Sequence, residues 1–252
     1  MRAHRRFLVV IILLLGVLLG SVVLNYLLYE RGRQYYLQLN ATRLDPLGLS
    51  YYSTASYQGD LVSPELTSVV FFGDSRAANW PAPVLEGFEF INRGIGSQTS
   101  EQAAGRFEYH VKPLQPEVVV VQVGINDLKV IPLFPGRKEV IIANCEGNIR
   151  RIVEWSTDMG ATVVLSTIFP LGEVPIERRP FWSDDVVLAI ERVNEYIRSL
   201  EGGGVIVFDA YTILAGGDGA IKPEYSRDLL HLNVVGYERL NGELVKILGG
   251  LD

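Results

Sequence analysis

The sequence predicts an α/β domain, a five-stranded parallel sheet with helices on both faces, preceded by one membrane-spanning helix. Three observations predict it. Five short apolar runs alternate with longer helix-like stretches, and such alternation gives a parallel sheet covered on both sides. The runs are near-continuous Val, Ile and Phe, which suits strands buried on both faces. Residues 7–28 form a third signal: 22 residues broken only by Ser21, Asn25 and glycines, where about 20 apolar residues span a bilayer core as helix.

In chain order, residues 1–6 form a basic tip with Arg2, Arg5 and Arg6, which favours the cytoplasmic side. The bias is modest, since Arg31, Arg33 and Arg43 follow the span. A cleavable signal peptide has a shorter apolar region and a small-residue cleavage site. Here the run is long, no A-x-A site follows it, and no cysteine stands where a lipoprotein would be cut. Residues 7–28 therefore read as an uncleaved single-pass signal anchor, with the rest of the chain on the extracytoplasmic side. A buried core helix is the alternative. Residues 29–63 read as a juxtamembrane connector rich in tyrosine: Tyr29, Tyr35, Tyr36, Tyr51, Tyr52 and Tyr57. These suit either the membrane–water boundary or packing against the domain. Asp45-Pro46-Leu47-Gly48 is a turn signal. The domain proper is expected over 64–252. Its strands are expected at 68–72 (SVVFF), 88–91 (FEFI), 118–123 (VVVVQV), 162–168 (TVVLSTI) and 205–208 (VIVF). Its helices are expected near 99–111, 138–158, 184–200 and 234–248.

The 252 residues allow one ordinary domain plus appendages. The formal charge of −6 carries no basic excess that would suit nucleic acid. The single cysteine, Cys145, excludes an intrachain disulfide framework and a cysteine-rich metal site. It reads as a small core residue.

The residues able to do chemistry collect after the strands, where ligands bind in parallel sheets. Asp74 and Ser75 follow the first strand, 92–99 the second, 124–127 the third, and Asp228 with His231 the fifth. A hydroxyl is a poor nucleophile at neutral pH, so it needs a base, and the base needs an orienting acid. Of the three histidines, His4 lies in the basic tip and His110 ends a helix-like stretch before Pro113. Only His231 has an acid at a useful spacing. A turn across three residues folds Asp228 onto Nδ1 and leaves Nε2 to accept a serine proton. The Asn126 amide suits a developing oxyanion, with a backbone N–H of the second-strand loop as a further donor. Each feature alone is ordinary: Asp and Ser are turn residues, and Asn after a strand is common.

Together, four blocks resemble the SGNH hydrolase superfamily, also called GDSL-type esterases and lipases. They are Gly73-Asp74-Ser75, Asn92 through Thr99, Gly124-Ile125-Asn126-Asp127, and Asp228-Leu229-Leu230-His231-Leu232-Asn233. Their order and separations agree over roughly 66–250. The resemblance implies a three-layer α/β/α, flavodoxin-like fold and ester hydrolysis through an acyl-enzyme. It assigns Ser75 as nucleophile, His231 as base, Asp228 as its orienter and Asn126 as an oxyanion donor. The chain departs from the pattern at three places. Arg76 stands where leucine is typical. The second block often reads N-x-G-x-S-G-D-T, but Ser97 occupies its second glycine, with Gly96 one place earlier, and Gln98 stands for its aspartate. The second oxyanion donor is therefore expected from the Gly96–Ser97 backbone. The rival elbow of α/β-hydrolases normally follows several strands, whereas one precedes Ser75.

Substrate contacts are expected from the segments 130–135 and 173–183, with Arg178 and Trp182 in the latter, and from Arg76 beside the serine. Arginine grips phosphate or carboxylate; an aromatic ring stacks on a sugar or lines an acyl tunnel. A solvated loop with one anchoring tryptophan is the plainer alternative. The function expected is a membrane-tethered serine esterase acting on acylated carbohydrate or lipid, with no cofactor, no metal and no nucleic-acid partner. The alternatives are an acyltransferase acting on a surface glycan and a non-catalytic glycan- or lipid-binding module.

Overall fold

The computed structural model describes residues 2–52 and 65–251. It divides into two units, Met1–Pro46 and Leu47–Asp252.

The first unit is a single helix, α1 (Arg2–Leu44), about 65 Å long at 1.5 Å per residue. Its side chains from Phe7 to Leu28 are exposed on every side, the character of a helix built for lipid. It is long and apolar enough to cross a membrane. The expected boundaries after residues 6 and 28 do not interrupt it. Residues 29–44 carry straight-chain helix formers and one glycine, Gly32, so the helix continues past the apolar run. It stops where Pro46 disfavours helical backbone at Asp45.

The second unit contains all five expected strands: β1 (Thr67–Gly73), β2 (Phe88–Gly94), β3 (Val118–Gln122), β4 (Thr162–Ser166) and β5 (Val205–Phe208). They form one sheet in the order β2-β1-β3-β4-β5, and every pairing is parallel. Between and after them run α2 (Ser75–Ala78), α3 (Ser100–Gly105), α4 (Phe107–His110), α5 (Ile125–Leu128), α6 (Lys138–Asp158), α7 (Asp185–Arg198), α8 (Ala210–Leu214) and α9 (Val234–Leu248). The helix expected over 99–111 is divided at Arg106, whose side chain is buried.

Successive strand residues point to opposite faces, and both faces are apolar. Val70, Phe72, Val119, Val121, Val163 and Leu165 pack with Ile149 and Ile152 of α6 and Val193 of α7. Val69, Phe71, Val118, Val120 and Val164 pack with Trp80 and with Leu240 and Leu244 of α9. The result is the expected three-layer α/β/α arrangement. From β1 the chain runs outward to β2, then returns to the other side at β3. The order thus reverses between β1 and β3, and the carboxyl ends of these strands flank the crevice where such sheets bind ligands.

Residues 47–52 belong to this unit. The Leu47 carbonyl accepts from Gln98 Nε2 at 2.8 Å. The Tyr52 hydroxyl donates to the Gly94 carbonyl at 2.6 Å, and the Arg93 guanidinium lies 4.6 Å from its ring centre. Of the two readings of the tyrosines, Tyr52 follows the packing one. Tyr29, Tyr35 and Tyr36 stand exposed on α1. Tyr57 and the expected boundary at 63–64 lie outside the described residues.

Candidate active site

The serine turn is built by convergence of β1 and β3. Gly73 has φ +148°, and a Cβ there would lie 1.7 Å from the Gln122 carbonyl oxygen, so no side chain fits where the two strands close up. Asp74 then caps α2, its Oδ1 accepting the Arg76 N–H at 2.8 Å. Ser75 is the first residue of α2. Asn92, from β2, secures this turn by donating to the Ala77 carbonyl at 2.9 Å and accepting the Gly94 N–H at 2.8 Å.

The histidine arrives on a tight loop before α9. The Arg227 N–H bonds back to the His231 carbonyl at 2.9 Å. Asp228 Oδ1 accepts the Leu230 N–H at 2.9 Å and the His231 N–H at 3.0 Å. The carboxylate also lies 2.9 and 3.0 Å from His231 Nδ1. His231 Nε2 is 2.9 Å from Ser75 Oγ. Three side chains expected to meet thus lie in one hydrogen-bonded line. With Nδ1–H given to the carboxylate, the Nε2 lone pair faces the hydroxyl.

The electrostatics suit a neutral base beside a firm anion. Burial pushes the Asp228 carboxyl up, but the hydrogen bonds from Leu230 and His231 outweigh it and hold the group at about 2. Burial pulls the His231 imidazole below its ordinary 6.5; the bond to Asp228 opposes that, and the Arg227 and Arg76 charges reinforce it. His110 is fully buried, between Arg106 and the Leu49 carbonyl, and stands apart from this line.

On the other side of Ser75 lies the 92–99 loop. A Cβ built at Gly96 would sit 3.9 Å from Ser75 Cβ. Ser97 takes the left-handed conformation, φ 65°, the geometry glycine adopts without strain. Gln98 serves the scaffold: its Oε1 accepts from Arg106 Nε and its amide reaches Leu47. Arg106 also donates to the carbonyls of Arg93 and Gly73, at 2.8 and 2.9 Å. Asp127 accepts from Ser100 N and Oγ, at 2.8 and 2.7 Å, which ties the second block to the third. Burial lifts its carboxyl to about 6. Asn126 Nδ2 gives one N–H to the Gln98 carbonyl at 2.9 Å. Its Oδ1 accepts from Lys129 Nζ. An amide held at both ends in this way has one remaining N–H for a ligand.

Three residues expected to touch substrate separate here. Arg76 does not touch it: the side chain is fully buried and donates to the carbonyls of Leu230, Phe169 and Pro170. The planar fork finds three acceptors inside the molecule, so Arg76 does not stand among the substrate contacts where it was expected. Trp182 lines a cavity of about 220 Å³ with Leu171, Gly172, Val174 and Tyr211. Gly172 is its shared wall with the histidine loop, since a Cβ there would lie 2.7 Å from the Asp228 carbonyl. Arg178 is exposed, on the turn that Pro175 closes, near enough for its charge to lower the pKa of Lys129.

Two residues carried no recognisable signal in the sequence. Lys129 lies one helical turn beyond Asn126, a spacing that puts neighbours on one face. Arg106 has nothing in the sequence to mark it, standing among mixed polar and apolar residues.

The model of the GDSL-like lipase/acylhydrolase family matches residues 54–239. The chain belongs to that family. Solved structures similar to this GDSL-type chain include a GDSL-like lipase from Bacteroides thetaiotaomicron, 22% identical. It has a TM-score of 0.64, with 81% of this chain and 98% of that one covered. A lipase/acylhydrolase from Enterococcus faecalis is 24% identical, with TM-score 0.53 over 73% and 96% of the two chains. An acetyl xylan esterase is 21% identical, with TM-score 0.55 over 73% and 100%. Among curated proteins, an uncharacterized lipoprotein, YqeF, from Bacillus subtilis is 30% identical over 122 residues. That match spans 42% of this chain and 49% of the relative. The protein is thus a GDSL/SGNH-type hydrolase.

Proposed function

We propose that this hydrolase is a serine esterase tethered to the membrane, which cleaves carboxylic esters of acylated carbohydrate or lipid outside the cytoplasm. The observation that carries the reading is the continuous line Ser75 Oγ–His231 Nε2 and His231 Nδ1–Asp228, with both contacts near 2.9 Å.

In the mechanism proposed, Ser75 Oγ attacks the ester carbonyl as His231 Nε2 takes its proton. Asp228 keeps the proton-bearing nitrogen turned away from the serine and stabilises the imidazolium. The charge that grows on the carbonyl oxygen is met by the second N–H of Asn126 and by a backbone N–H of the Gly96–Ser97 segment. His231 returns its proton to the leaving alkoxide. Water, deprotonated by the same nitrogen, then attacks the acyl carbon, the bond to Ser75 Oγ breaks as His231 gives that oxygen the proton, and the acid leaves. Arg178 and Trp182 are proposed to meet the parts of the substrate beyond the ester, and α1 to hold the enzyme at the bilayer.

The test is hydrolysis of short-chain aryl esters by the detergent-solubilised chain, alongside Ser75→Ala. The expected loss is about 10³-fold or more in kcat, and undiminished turnover by the variant would refute the reading. Since His231 acts as neutral base, activity rises with pH through its pKa. That value is lowered, so the acid limb is expected below pH 6.5.

A further inference from the structure

Arg76 follows the serine directly, yet its side chain does not face the crevice. It is fully buried. Desolvating a guanidinium is costly unless something specific repays it. Here the fork finds three carbonyl acceptors. Nε donates to Leu230 O at 2.8 Å, and Nη1 and Nη2 reach Phe169 O and Pro170 O at 3.2 and 3.5 Å. The Phe169 ring lies 5.0 Å beneath its central carbon. The main chain of Arg76 is held as well: its N–H bonds to Asp74 Oδ1 at 2.8 Å, and its carbonyl accepts the Tyr237 hydroxyl at 2.9 Å.

These contacts form a bridge. The residue after Ser75 grips the carbonyl of the residue before His231, and in the same grasp the segment that follows β4. Ser75 and His231 are 156 positions apart in sequence, so their contact depends on whatever clamps these turns together. A leucine, typical of the family at this position, would fill space but offer no donors. A lysine would keep the charge as a single point and lose the fork.

We propose that Arg76 is a positioning residue, whose buried guanidinium locks the histidine loop onto the serine turn. The inference rests on the esterase reading for its kinetic consequences, and on the fold alone for its effect on the imidazole. The charged and titratable groups facing His231 are Asp228 and Arg227 on its own loop and Arg76 on α2. Those facing Arg76 are Asp74, Tyr237 and Asp228. Asp228 favours the imidazolium, and Arg76 and Arg227 oppose it. Removing the Arg76 charge therefore raises the His231 pKa and moves the acid limb of kcat/KM to higher pH.

The experiment compares wild type, Ser75→Ala, Arg76→Leu and Arg76→Lys as full chains in detergent, using p-nitrophenyl acetate across the weakly acidic to weakly alkaline range. The His231 imidazole is titrated in parallel by NMR and assigned with His231→Gln. For Arg76→Leu, the acid limb and the imidazole titration both shift upward by about half a unit or more, and kcat falls about tenfold with KM little changed. Arg76→Lys keeps the wild-type limb but loses kcat. A leucine variant with an unmoved limb and imidazole titration, or with wild-type kcat, overturns the proposal. If that variant does not fold, Arg76→Lys decides: wild-type kcat overturns the proposal, and reduced kcat on an unmoved limb supports it. Ser75→Ala as active as wild type would sink the esterase reading instead. The imidazole titration would still test the role of Arg76 independently: an upward shift in Arg76→Leu supports it, and an unmoved titration overturns it.

Discussion

At the scale of single residues, the site depends on groups whose chemistry is spent on other groups. Lys129 is the clearest case. Burial lowers its pKa, the attraction of Asp74 opposes that, and Arg178 adds to the lowering. Its ammonium donates to Asn126 Oδ1, while Nδ2 of the same amide donates to the Gln98 carbonyl. A cation on the amide oxygen polarises the N–H groups and strengthens them as donors. Lys129→Met is therefore expected to lower kcat about tenfold, a fraction of the roughly 10²–10³-fold effect of deleting an oxyanion donor. The double variant with Asn126→Ala should be no slower than Asn126→Ala alone, since Lys129 has nothing left to act through. Steady-state kinetics on the four proteins measure this directly, and fully additive losses would show that Lys129 acts elsewhere.

At the scale of elements, the strands were legible because their apolar runs are continuous and end in Gly or polar turns. All five appear close to the expected positions. The serine turn was legible for the same reason. The loop carrying Ser97 was legible only in outline. Its departure from the glycine pattern left the second donor to the Gly96–Ser97 backbone, where Ser97 adopts φ 65°. What holds it there is tertiary: Tyr52 and Arg106 bond to its flanking carbonyls, Gly94 and Arg93, and neither pairing follows from local sequence. Arg76 misled for a similar reason: it was expected at the substrate because it stands beside the serine, and only the fold supplies the three buried acceptors that turn it inward. Ser97→Gly tests how much strain the loop stores. An L-residue in the left-handed region costs about 1–2 kcal/mol, and the extra chain entropy of glycine returns about 0.5–1 kcal/mol. The variant should be more stable by roughly 0.5–1 kcal/mol on that difference, read from the midpoint of chemical denaturation, with kcat little changed. A fall in stability would show that the Ser97 hydroxyl holds the loop.

At the scale of the whole molecule, every residue assigned to the chemistry lies between Gly73 and His231, and none lies on α1. A helix of 43 residues is about twice what a bilayer core requires. The apolar run supplies one span, and residues 29–44 extend about 24 Å further at 1.5 Å per residue. That second stretch bears Tyr29, Tyr35 and Tyr36 together with Glu30, Arg31, Arg33 and Arg43, a composition for the interface and water rather than for lipid. A helix apolar on every side from Phe7 to Leu28 cannot remain in water unaccompanied. If it anchors the enzyme, the full chain stays with membranes through high salt and alkaline carbonate, and deleting residues 2–28 releases it. The released form should hydrolyse a soluble aryl ester with unchanged kcat, because no site residue is lost. Protease added to intact spheroplasts should degrade the domain if it faces outward. Recovery of a soluble protein whose chain starts beyond residue 28 would identify α1 as a cleaved signal sequence, and protection of the domain from protease would reverse the proposed topology.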